Sequence, residues 1–85
     1  MVEKKIVVQL AHGLHARPAA TFVKVAASFQ SEIKLVKKEK IINGKSIMGI
    51  MAAAIAKGEE ISLSADGIDE QEAITALEKV LLEQE

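Results

Sequence analysis

The spacing of apolar residues alternates along this chain between a period of two and one near 3.6, and each change of period marks an element. Residues 3–10, EKKIVVQL, are rich in β-branched residues and put Ile6, Val8 and Leu10 on one face, which predicts a first strand. From Arg17 to Phe29 the positions Ala19, Phe22, Val23 and Ala26 follow helical spacing, with Lys24 and Ser28 turned away. Residues 32–38, EIKLVKK, alternate again with Ile33 and Leu35 inward. Residues 40–42, KII, pair back across a polar turn at Lys38-Glu39, and this hairpin ends at Asn43-Gly44. Ser46 is a favoured N-cap ahead of the apolar run IMGIMAAAIA, which predicts a short second helix weakened by Gly49 and stopped by Lys57-Gly58. EISLSADG then alternates Ile61, Leu63 and Ala65 as a fourth strand. Asp69 is expected to cap a last helix, DEQEAITALEKVLLEQE, in which Ala73, Ile74, Leu77, Val80 and Leu81 form one stripe.

The resulting order is βαββαβα. Each helix carries one apolar stripe, so the expected fold class is α+β, with helices covering one face of a mostly antiparallel sheet. That order also suits ferredoxin-like metal or small-molecule sensor domains, so function must be argued from sites.

Composition narrows the picture. A chain of 85 residues is expected to form one domain, 1–85, and 49% hydrophobic against 27% charged residues is the balance of a globular protein. Two Phe with no Trp or Tyr disfavour an RNA-stacking platform. A net charge of −1 points to neither nucleic acid nor an anionic membrane as partner. The absence of Cys excludes disulfides, thiolate nucleophiles and Cys-type zinc sites and fits a cytoplasmic protein. The start of the chain has too short an apolar run for a signal peptide, and residues 47–56 fall short of a membrane span, so no membrane insertion is expected.

Two stretches carry candidate chemistry. In AHGLHARPAATF, residues 11–22, Gly13 bends the chain out of the first strand and residues 15 to 18 enter the first helix. Amides at a helix start lack intrahelical partners and, with the aligned peptide dipoles, favour an anion, phosphate above all. Arg17 adds a planar guanidinium that grips phosphate oxygens in pairs, and His15 a ring nitrogen able to act as a nucleophile. A histidine beside such a cradle reads as a phosphoryl acceptor and donor. Pro18 fits the first helical turn but biases Arg17 away from helical angles, leaving the start open between Ala16 and Pro18. The plainer alternative is that His15 is a loop residue or weak cap. His12 and His15 also raise a zinc site, which carboxylates would have to complete. A serine hydrolase lacks its G-x-S-x-G elbow here.

In NGKSIMGIM, residues 43–51, the P-loop pattern fails because Glu39 stands where a glycine is required. Ser46 is an N-cap that could accept a phosphate without unfolding its helix, since the added charge meets the favourable dipole end. Spacing leaves two readings of Ile47, Met48, Ile50 and Met51: all four in the core, or one or two in an exposed docking patch.

GLHARPA at 13–19 and KSIMGIM at 45–51 together resemble the histidine-containing phosphocarrier (HPr) family of the bacterial phosphoenolpyruvate:sugar phosphotransferase system, and the likeness extends over the whole chain. The resemblance implies an open-faced β-sandwich, a four-stranded antiparallel sheet covered on one face by three helices. It implies a phosphoryl carrier rather than an enzyme, with no cofactor and no metal. His15 would accept the group from enzyme I, charged by phosphoenolpyruvate, and pass it to EIIA, while Arg17 and the Ala16 amide hold it. Ser46 matches the regulatory site of HPr kinase/phosphorylase, whose phosphoserine product is a corepressor for catabolite control protein A. Ala20, Lys24, Ile47, Met48 and Met51 would be docking surface. A catabolite-repression branch keeps the serine and lacks the active histidine. His15 argues against that branch, although the second half of the chain is close to it. His12 departs from the small polar residue usual at its position.

Overall fold

The computed structural model describes residues 1–10 and 12–82. Seven elements follow in the expected order: β1 (Val2–Val7), α1 (Ala16–Ala27), β2 (Glu32–Lys37), β3 (Lys40–Asn43), α2 (Ile47–Ala52), β4 (Glu60–Asp66) and α3 (Glu70–Leu82). The expected continuation of the last helix over residues 83–85 lies outside the described residues.

The strands form one antiparallel sheet in the order β1-β4-β2-β3. Register explains which side is covered. Leu63 stands opposite Leu35, which stands opposite Ile42, while Ile61 faces Ile6 and Ala65 faces Ile33. These residues alternate with exposed or polar neighbours, so one face of the sheet is apolar and packs under the helices. The apolar stripes of α1 and α3 supply Ala19, Phe22, Ala26, Ala73, Ile74, Leu77, Val80 and Leu81 to the same cluster. On the other face Ser62 and Ser64 of β4 run between Lys5 and Glu3 on one side and Val36 and Lys34 on the other. The fold is an open-faced α+β sandwich.

Several boundaries differ from the periodicity, each for a hydrogen-bonding reason. β1 ends at Val7 rather than residue 10, because Gln9 N–H turns away to the Leu81 carbonyl (3.0 Å). Val8 and Leu10 stay buried beyond the strand. α1 begins at Ala16 and stops at Ala27, where the Ser28 and Phe29 amides tighten onto Val25 and Ala26 (both 3.1 Å). Val23 is half-buried, not core. α2 ends at Ala52 instead of running to Lys57-Gly58. Ala54 adopts φ 51° just past that end, and the Lys37 ammonium holds the Ala53 and Ala54 carbonyls at 2.9 and 3.0 Å.

Asp69 does precede α3, and its carbonyl accepts from Ala73 N–H (3.0 Å). Its carboxylate, however, accepts from the Gln30 (2.8 Å) and Ser31 (2.9 Å) amides, so it ties the α1–β2 loop to the base of α3.

Candidate functional site

The stretch between β1 and α1 is held by its own turn and by the loop after α2. Gly13 N–H donates to the Leu10 carbonyl (3.0 Å), and Leu14 N–H donates to the Ile55 carbonyl (2.9 Å). Gly13 has φ +70°, and a Cβ there would strike the Ile55 carbonyl oxygen and come within 2.9 Å of the Ala56 Cα. Only glycine accommodates both the left-handed backbone and the close approach. Leu14 is buried, and its burial leaves the next residue, His15, at the surface.

His15 is the N-cap of α1, with extended backbone (φ −86°, ψ −166°), and its side chain makes no capping hydrogen bond. Its carbonyl accepts the first helical bond, from Ala19 N–H (2.9 Å). Pro18 has no N–H, so the helix-start amides ahead of Ala19 are those of Ala16 and Arg17. Starting the helix at Ala16 gives Arg17 helical geometry in spite of the following proline, which decides the alternative left open above. The first turn of α1 contains no acidic residue of its own. Ala16, Arg17, Ala20 and Lys24 are all exposed.

His12 stands beside His15, ring centroids 5.9 Å apart at 66°. Both rings line a shallow depression with Leu14, Met51, Ala54, Ile55 and Ala56. The contribution of residues 54–56 has no local signal in the sequence, because it depends on backbone contacts some forty positions away. Among the described residues no carboxylate lines this depression, and no cluster of three or more His, Cys, Asp or Glu gathers anywhere among them.

Ser46 caps α2 as expected. Its hydroxyl accepts from Gly49 N–H (3.1 Å), and its backbone joins Asn43 behind it and Ile50 ahead. Lys45 reaches the Phe29 carbonyl (2.9 Å), anchoring this turn to the end of α1. Of the four apolar residues on α2, Ile50 is fully buried, while Ile47, Met48 and Met51 are 41%, 83% and 46% exposed. The reading that all four are core is therefore incorrect. A six-residue helix packed against α1 and β3 has one inward face, and Ile50 occupies it. Since Met51 borders the His15 depression, the two sequence motifs meet on one surface.

Comparison with known proteins bears on the family and the fold. The family model for the PTS HPr component phosphorylation site matches residues 2–83. The HPr-like protein Crh of Halalkalibacterium halodurans is 54% identical over 77 residues, covering 91% of this chain and 92% of that protein. Phosphocarrier protein HPr of Buchnera aphidicola subsp. Schizaphis graminum is 42% identical over 85 residues, covering all of both chains. The crystal structure of HPr-C-His from Thermoanaerobacter tengcongensis superposes with a TM-score of 0.92 at 48% identity, covering 95% of this chain and 91% of that one. By sequence over almost its full length and by fold, this chain belongs to the HPr family of the phosphotransferase system.

Proposed function

We propose that this protein is a cytoplasmic phosphocarrier whose His15 accepts a phosphoryl group from enzyme I and passes it to EIIA. The observation that carries this reading is the position of His15: exposed, at the N-cap of α1, with its ring not used for capping. An unprotonated ring nitrogen attacks phosphorus, the nitrogen–phosphorus bond forms as the bond to the donor breaks, and the Ala16 and Arg17 amides with the Arg17 guanidinium take up the oxygens' charge. Transfer onward is the reverse step. The carrier needs a surface that several partners can dock on, and exposed Ile47, Met48 and Met51 beside Ala20 and Lys24 supply an adaptable one.

Ser46, in this reading, is the site of HPr kinase/phosphorylase. The phosphoserine form acts as corepressor of catabolite control protein A, and its added charge on the shared docking surface slows charging of His15. With phosphoenolpyruvate and enzyme I the protein should gain one acid-labile phosphate, lost in His15→Ala. No gain in the unaltered protein would overturn the carrier role.

A second reading is favoured by the 54% identity to a relative named HPr-like protein Crh: regulation through Ser46 without sugar transport. It predicts ATP-dependent, acid-stable phosphorylation lost in Ser46→Ala, with no acid-labile label from enzyme I.

A further inference from the structure

We infer that His12 is a second, pH-dependent donor to the phosphoryl group on His15, an inference that rests on the carrier reading above. The two ring centroids lie 5.9 Å apart. Ring nitrogens sit about 1.1 Å from their centroids, so two nitrogens aimed at each other would be no nearer than roughly 3.7 Å, beyond a direct hydrogen bond of about 2.7–3.2 Å. A phosphoryl group bonded to a His15 nitrogen carries three acceptor oxygens outward from that ring, and one of them can reach across the gap to accept from the His12 ring.

The surroundings make the charge of His12 count. Among the described residues the depression is otherwise lined by Leu14, Met51, Ala54, Ile55 and Ala56, none of them titratable. Of the charged groups adjoining these residues, Arg17 follows His15 by two positions on α1 and remains cationic, and exposed Lys57 follows Ala56. The Glu59 carboxylate accepts from Ala56 N–H (2.8 Å) and pairs with Lys37 (3.1 Å). Apart from His15 itself, His12 is thus, among the described residues, the side chain in the depression that can gain or lose a proton. As imidazolium it donates to the phosphoryl oxygens and attracts the incoming anion; as neutral imidazole it loses the charge-assisted part of that interaction.

Phosphoramidate charges histidine without a partner protein: its nitrogen–phosphorus bond breaks and ammonia departs as the His15 nitrogen takes the phosphoryl group, the ring proton passing to solvent. Initial rates at His15, read by peptide mapping, are compared for the unaltered protein, His12→Ser and His12→Lys from about pH 5.5 to 8.5. The unaltered protein should exceed His12→Ser by roughly three- to tenfold at the acid end and match it at the alkaline end, while His12→Lys keeps the advantage throughout. A ratio to His12→Ser that does not vary with pH would overturn the inference. Enzyme I supplies the separating arm. Labelling of His15 by phosphoramidate but not by enzyme I overturns the carrier reading, and the pH dependence of the ratio still decides the role of His12.

Discussion

The Asp69 carboxylate accepts the Ser31 amide (2.9 Å) and hydroxyl, joining residues 38 positions apart at a buried serine. These bonds, with the Gln30 amide, hold the Asp69 carboxyl below its ordinary value of 3.8, the Ser31 hydroxyl contributing most. The folded chain therefore binds this proton less readily than the unfolded one. The stabilisation is complete above the unfolded value and is lost as pH falls through the lower folded value. Thermal unfolding followed by circular dichroism should show Asp69→Asn melting below the unaltered protein at neutral pH, with the gap closing below about pH 4. Ser31→Ala should cost about 1 kcal/mol at neutral pH.

Gly13→Ala is expected to destabilise the fold by about 3 kcal/mol, combining a left-handed backbone with a collision against the 55–56 backbone. Because that contact sets the turn ahead of His15, the variant should also charge more slowly at a temperature where it remains folded. Denaturant unfolding and the enzyme I assay check the two halves separately.

Ala54→Gly should do the reverse. Ala54 has φ 51° at the position after the α2 cap, where helices commonly end on a left-handed glycine. Removing the Cβ should raise stability by up to about 1 kcal/mol, or roughly 4–8 °C in melting temperature, as thermal unfolding would show.

At Ser46 the cap and the modification can be told apart. Ser46→Ala loses the bond to Gly49 N–H and should cost about 1 kcal/mol. Ser46→Asp keeps an acceptor at the cap and places a negative charge at the favourable helix end, so its stability should stay within about 0.5 kcal/mol of the unaltered protein. Equal losses in the two variants, measured by denaturant unfolding, would contradict this account of the cap.

The order of the elements, the inward residues of the strands and the place of His15 at a helix start were legible in the sequence. Each is a local property: a period of two or 3.6, a glycine before a turn, a proline in a first helical turn, a serine before an apolar run. Periodicity failed on α2, where apolar residues occupy the whole circumference and only packing against α1 and β3 decides that Ile50 is buried while Ile47, Met48 and Met51 stay outside. It failed likewise at Asp69, whose carboxylate had a cap of its own helix within reach but is engaged by the 30–31 amides, brought there by the packing of α1 against α3. The wall of residues 54–56 behind the two histidines is also a product of chain crossing. By itself the sequence determined which groups this protein has for phosphoryl chemistry and which element presents them, because those depend on neighbours along the chain. Only the tertiary structure decided that His12, His15 and Met51 share one depression, because that depends on where distant backbone segments meet.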